Sequence, residues 1–336
     1  MKFAIVGATG NVGRKLIEVL EKKKIHLSGI YLVASSKSSG KKINFFGKEY
    51  IVEDLEKFDF SNVKIAFFAA GSSIAEKWAP IAAKKTIVID NSKFFRKDPD
   101  IPLIVPEVNS NELSKFKKKN IISNANCSVI PIVVALKPLH DLYNVKRVVV
   151  STYQSVSGAG KAAMDELISQ TKEILENKKI QSRNFTKQIA FNAIPHIDDF
   201  LENGSTKEEQ KNHDEIKKIL DTKIRITSTC VRIPVLVSHC ISINIEFNKK
   251  YKLDEIKNIL SSSPGCAVVD EQKDGGYITP VEAENKFETF ISRIRDDNSQ
   301  ENTINMWIVS DNLLKGAALN AVEIAETLIK NNFYGK

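Results

Sequence analysis

No apolar stretch in this 336-residue chain approaches the ~20 residues that a membrane-crossing helix needs. A strand pattern begins almost at the first residue, leaving no room for a signal or transit peptide, so the cytoplasm is the expected location. Internal repeats and low-complexity segments are missing too, which sets aside solenoids and disordered tails. Cysteine is scarce, at Cys127, Cys230, Cys240 and Cys266. None of the four forms C-x-x-C and no Cys/His cluster has zinc spacing, so no metal site is expected. In a cytosolic chain all four are reduced thiols. Acidic residues fall short of basic ones, 41 against 49, for a net charge of +8 and a pI near 9.1. The lysines are scattered, and the densest runs (Lys22–Lys24, Lys117–Lys119) read as solvated helix ends with no interleaved aromatics. Nucleic acid is therefore not an expected partner, and small anionic molecules account for the excess charge equally well.

What the sequence does contain begins with Met1–Gly13. A short apolar run, Phe3 to Val6, reads as a buried strand and passes directly into Gly7-Ala8-Thr9-Gly10-Asn11-Val12-Gly13 and an amphipathic segment, Arg14 to Lys23. Glycines at such a strand-to-helix turn let the backbone approach a pyrophosphate, which then rests on the helix N-terminal dipole. Dinucleotide binding is the reading that this placement favours.

At this length the chain accommodates two domains. Strands at Gly29–Val33, Val63–Ala70 and Thr86–Asp90, alternating with helical patterns such as the one running through Trp78, imply a parallel, doubly wound sheet. Residues 1–126 read as a Rossmann-type nucleotide-binding domain. Farther on, Arg147–Ser155 reads as a long strand, Lys161–Leu175 and Lys207–Leu220 as helices, and Cys240–Phe247 as a strand with one wet face. Residues 127–310 read as an α+β domain with a mostly antiparallel sheet. A last helix, Asp311–Lys330, within a C-terminal segment 311–336, carries a small apolar stripe that returns to the first domain.

Cys127 has the most reactive setting among the thiols. It lies in Ser123-Asn124-Ala125-Asn126-Cys127-Ser128, a polar turn opening onto the apolar helix Val129–Leu142. The positive end of a helix dipole favours the thiolate, the form that acts as nucleophile. Of the histidines, His239 is the best partner base, because it sits where a turn after Pro234 meets a strand, on the same segment as Arg232. Buried-thiol and structural-histidine readings of the two residues remain open on position alone.

Seven motifs in order resemble those of aspartate-β-semialdehyde dehydrogenases: Gly7–Gly13; Asp90-Asn91-Ser92 with Arg96; Asn126-Cys127-Ser128; Thr152–Gly160; Glu208-Glu209-Gln210-Lys211; Arg232-Ile233-Pro234-Val235 with His239; and Asp311–Ala318. The resemblance runs almost end to end. It implies NADPH-dependent reduction of L-4-aspartyl phosphate through an acyl-thioester on Cys127, in a homodimer serving aspartate-derived amino-acid biosynthesis. His239 would be the acid/base, and Gln154 would orient the acyl intermediate. Arg232 would clamp the substrate α-carboxylate, Glu208 would face its ammonium, and Arg96 and Lys211 would bind the phosphate, with Asn126 also at the substrate. Cofactor contacts would come from Gly7, Thr9, Gly10, Asn11, Val12, Ser35, Ser36, Lys37, Ser38, Gly71, Ser157, Gly158 and Asn312. Lys37 stands where relatives often carry arginine, and Ala125 where many carry proline. N-acetyl-γ-glutamyl-phosphate reductase is the nearest alternative, but its Asn-Pro-Gly-Cys-Tyr turn is absent. A non-catalytic nucleotide-sensing module is the alternative from another class.

Overall fold

The computed structural model describes residues 1–25 and 27–333; His26 and the last three residues of the 311–336 segment lie outside the described residues. The chain forms two compact units, Met1–Ala125 with Ala317–Lys336, and Asn126–Gly316.

In the first unit the strands are β1 (Lys2–Val6), β2 (Gly29–Ala34), β3 (Lys42–Phe45), β4 (Lys48–Ile51), β5 (Glu53–Asp54), β6 (Ile65–Phe68), β7 (Ile87–Asp90), β8 (Leu103–Ile104) and β9 (Ile121–Asn124). Seven of them form an all-parallel sheet in the order β5-β2-β1-β6-β7-β9-β8, while β3 and β4 make a separate hairpin. Phe3 to Val6 are wholly buried, as a central strand covered on both faces requires. The chain leaves β1 first toward β2 and later returns to β6 on its other side. The glycine turn at the end of β1 therefore lies at the switch point where open α/β sheets hold their ligands. The helix read through Trp78 extends over Ser72–Ala83, carrying Pro80 inside it.

The second unit holds β10 (Val145–Gln154), β11 (Arg225–Arg232), β12 (His239–Phe247), β13 (Cys266–Val268), β14 (Thr289–Asp296) and β15 (Thr303–Ser310). Their order is β11-β10-β12-β15-β14-β13, with antiparallel pairing in the middle and parallel pairs at the two edges. The parallel β10/β11 pair is possible because helices Lys161–Leu175 and Lys207–Ile219 lie between the strands and supply the crossover. Helix Val129–Tyr143 is buried almost all round from Val129 to Leu136, as its unbroken apolar sequence demands.

The C-terminal reading needs correction. Asp311 does not start a helix. Its Oδ1 accepts from the amides of Leu313 and Leu314, and its carbonyl accepts from Gly316 N, five residues on. A π-turn over Leu314–Leu319 follows, and the α-helix covers only Asn320–Lys330.

Candidate active site

The parallel pairing of β10 with β11 sets Gln154 beside Arg232 at the carboxyl ends of both strands. At that same end β12 begins, with His239 paired to Ser310. Three side chains from distant sequence positions thus converge through register.

Asn126 opens the turn that carries Cys127 and is locked into it. Its Oδ1 accepts from Ser128 N (2.8 Å) and Ser128 Oγ (2.7 Å), an Asx-type turn, and its own N–H donates to Glu215 Oε2 at 2.7 Å. Cys127, the next residue, places its Sγ 3.3 Å from His239 Nε2. His239 is completely buried. Burial, with the Arg232 cation nearby, pulls its pKa down to about 3, so the ring is neutral near pH 7. The backbone N–H of Ser155 donates to His239 Nδ1 at 3.1 Å. A backbone amide can only donate, so Nδ1 accepts and the neutral ring carries its proton on Nε2, facing the sulfur.

Arg232 Nη1 donates to Ser155 O at 2.6 Å, which brings the guanidinium up to the same turn. Burial pulls its pKa below the ordinary arginine value, while Glu208 and Cys127 act in the opposite direction. Glu208 Oε1 accepts from Asn126 Nδ2 (3.0 Å) and Gln154 Nε2 (3.1 Å), and its Oε2 accepts from Lys211 Nζ (2.8 Å). Burial alone would raise the Glu208 pKa, but the Lys211 charge and these hydrogen bonds outweigh it and hold it down to about 2. The pair at positions 208 and 211 is thus no solvent-facing helix pair, since Glu208 is only 5% exposed. Lys211 also donates to Asp198 Oδ2 at 2.7 Å.

Ser157 and Asn312 are buried together. Asn312 Oδ1 accepts from Ser155 Oγ, Ser157 Oγ and Ser238 N, while Gly158 is exposed. Thr152 Oγ1 donates to Gln154 Oε1, and Asn212 links Ser128, Ser228 and Cys230.

Within the first unit, Gly7 has φ +89°, and a Cβ there would lie 2.6 Å from Ala69 O; a Cβ at Gly13 would lie 2.2 Å from Gly7 O. Glycine alone permits this tight turn, which delivers Gly10, Asn11 and Val12 to the start of helix Asn11–Lys22. The unsatisfied amides of such a helix start suit a pyrophosphate. Thr9 Oγ1 lies 3.5 Å from Ser38 Oγ, joining the glycine turn to the Ser36–Ser38 turn after β2, where Ser35, Ser36 and Lys37 are exposed. Gly71, with φ +86°, precedes helix Ser72–Ala83 at the end of β6. This donor set, with hydroxyls, amides and a cation but no carboxylate between 35 and 38, fits a dinucleotide carrying phosphate groups. Arg96 lies in the turn after β7, largely buried, with Nη2 donating to Asn91 O at 3.0 Å.

Ser155, Asp198 and Glu215 were not singled out from the sequence. Each meets its partner only through tertiary contacts 13 to 89 residues apart, so no local spacing marks them. Among the described residues no cluster of His, Cys, Asp or Glu could hold a metal ion, and no helix is long and apolar enough to cross a membrane.

Two family models match the chain: semialdehyde dehydrogenase, NAD binding domain, over residues 2–116, and semialdehyde dehydrogenase, dimerisation domain, over residues 136–315. Fold and site together thus define a semialdehyde dehydrogenase, an oxidoreductase that works with a nicotinamide cofactor. The aspartate-semialdehyde dehydrogenase of Rickettsia bellii is 50% identical over 329 residues, 98% of this chain and 97% of that protein. That of Aquifex aeolicus is 49% identical, with 98% of each chain covered. Aspartate semialdehyde dehydrogenase II of Vibrio cholerae, solved in complex with ASA, superposes with a TM-score of 0.96 at 44% identity and 98% coverage of both chains. The chain belongs to the aspartate-semialdehyde dehydrogenase family.

Proposed function

We propose that this protein reduces L-4-aspartyl phosphate to L-aspartate 4-semialdehyde with NADPH, releasing inorganic phosphate, and that Cys127 carries the acyl group between the two half-reactions. The observation that carries the mechanism is the 3.3 Å approach of Cys127 Sγ to His239 Nε2, beside a buried polar cluster that includes Arg232, Glu208 and Gln154. The names of the relatives support this substrate over N-acetyl-γ-glutamyl phosphate and over a non-catalytic sensing module.

In the forward direction the Cys127 thiolate attacks the acyl carbon. The C–S bond forms, the bond to the phosphate oxygen breaks, and inorganic phosphate leaves. The Gly7–Gly13 turn would hold the nicotinamide cofactor, which when bound would supply hydride for reduction of the thioester carbonyl. Hydride addition leaves an oxyanion to which His239 Nε2–H donates a hydrogen bond, sharing its proton without losing it, and that oxyanion collapses to the aldehyde as the C–S bond breaks and the thiolate is restored. Gln154 orients the acyl group. Arg232 offers a planar, bidentate donor to the planar α-carboxylate. Glu208, ionised and held in place by Asn126, faces the substrate ammonium. Lys211 and Arg96 hold the phosphate. The dimerisation-domain match supports a homodimer, and a reduced cytoplasm suits a reaction that needs a free thiol.

NADP is preferred to NAD because residues 35–38 present hydroxyls and Lys37 where NAD-binding units commonly offer a carboxylate to the ribose 2′-OH. A kcat/KM with NAD equal to or above that with NADP would refute the preference. The acyl-enzyme has a direct test. Protein mixed with aspartyl phosphate in the absence of NADPH gains one aspartyl mass on the peptide containing Cys127; an adduct on Cys240, or on no cysteine, would refute the mechanism.

A further inference from the structure

Gly316 stands where there is no room for a side chain beside Cys127. A Cβ built on Gly316 would lie 3.0 Å from Cys127 Cβ, 3.1 Å from Cys127 O and 3.2 Å from Cys127 Cα. Real side-chain contacts are seldom so close, and two of the three neighbours are main-chain atoms that cannot swing aside. Gly316 itself is firmly held. Its N–H donates to Asp311 O at 3.0 Å, closing the wide turn that opens the π-helical segment. Asp311 is wholly buried and anchored in turn, its carboxylate accepting from the amides of Leu313 and Leu314 and, through Oδ2, from Asn285 N at 2.8 Å. Turns of this kind inside helices cost hydrogen-bond geometry and recur at functional sites. On its other side the Asn126–Ser128 turn is fixed by Glu215 and the Asx contacts. The nucleophile thus sits between two rigid pieces of main chain.

We infer that Gly316 is a positioning residue for the nucleophile: the absence of its side chain, presented by the π-turn, sets how closely Cys127 Sγ approaches His239 Nε2. The inference rests on Cys127 being the nucleophile. A methyl group at position 316 has to push the Cys127 backbone by a few tenths of an ångström, because the Asp311 anchors prevent the π-turn from retreating. That displacement acts on a sulfur–imidazole contact of 3.3 Å.

The test is Gly316→Ala in the full-length protein. Steady-state kinetics with aspartate semialdehyde, phosphate and NADP should give a kcat reduced by about 10-fold or more, by the steep dependence of rate on placement of the reacting atoms, while KM for phosphate stays within about twofold. Alkylation of Cys127 by iodoacetamide, followed by the mass of its peptide, should slow in parallel. NADPH affinity, to which the glycine turn of the first unit contributes most, should stay within about twofold. Wild-type kcat together with a wild-type alkylation rate would overturn the inference. So would a variant that has lost cooperative unfolding and NADPH binding along with activity, since Gly316 would then serve the fold and not the nucleophile. Cys127→Ala, assayed beside it, separates the two levels: full activity there refutes the nucleophile assignment, whereas an inactive Cys127→Ala with a fully active Gly316→Ala refutes only the positioning role.

Discussion

Cys127 differs from the other cysteines in its surroundings more than in its chemistry. Burial pushes the thiols of Cys230 and Cys240 up to about 12, leaving essentially no thiolate near neutrality. Cys266 donates its S–H toward Val134 O. Cys127→Ala should therefore abolish NADPH formation from the semialdehyde, while alanine at Cys230, Cys240 or Cys266 should leave it measurable. His239→Gln should be slower by ~10²–10⁴-fold with KM roughly kept, as expected when acid/base help is lost and binding is not. A His239→Gln enzyme within twofold of wild type would mean that the proton moves by another route. The histidine was legible from its segment, but its polarity was not. Only the Ser155 amide, 84 residues away in sequence, fixes Nδ1 as an acceptor.

Among the elements, the glycine turn after β1 was the most readable in advance, since strand, glycines and helix follow one another within a few residues. Local spacing is sufficient where the partners are local. What it could not give is the tolerance of the turn. A Cβ at Gly13 would meet Gly7 O at 2.2 Å, so the gain in helix propensity from alanine cannot be realised there. Gly13→Ala should lower stability by ~1–3 kcal/mol, the usual cost of overpacking, and weaken NADPH binding measured by fluorescence titration. An unchanged dissociation constant and melting temperature would show that the turn can shift. The segment after β15 is the opposite case. Its apolar stripe reads as one helix from Asp311, yet the buried Asp311 carboxylate captures the first amides and forces a π-turn before the α-helix begins at Asn320. The hairpin β3/β4, with alternation too short to stand out, was likewise not identified.

For the whole molecule, two buried groups make stability depend on acid. The folded pKa of His239, about 3, lies below its ordinary 6.5, so the folded state binds fewer protons; the associated stability is full above pH 6.5 and is lost as pH falls toward 3. Glu208, at about 2 against an ordinary 4.5, has the same sign, and its contribution is lost between pH 4.5 and 2. Between pH 6.5 and 4.5 only the histidine of this pair acts. The melting temperature of wild type should therefore fall more steeply across that interval than that of His239→Gln. Parallel curves would indicate that His239 takes up its proton as readily folded as unfolded.

The parallel sheet of the first unit, the glycine turn and the alternating strand β12 were written into local pattern, because periodicity and turn chemistry act over a few residues. The choice of Cys127 among four thiols, and of Arg232, Glu208, Gln154 and Lys211 as its companions, came from motifs in order along the chain. Their distances, the tautomer of His239, the burial of Glu208 against Lys211 and the closeness of Gly316 to Cys127 came from the register of β10 on β11 and from backbone atoms meeting across long sequence separations. Patterns of neighbouring residues report which face of an element is buried. They carry no information about which main-chain amide or bare glycine will arrive on the other side, and at this site those arrivals set the proton position and the space around the sulfur.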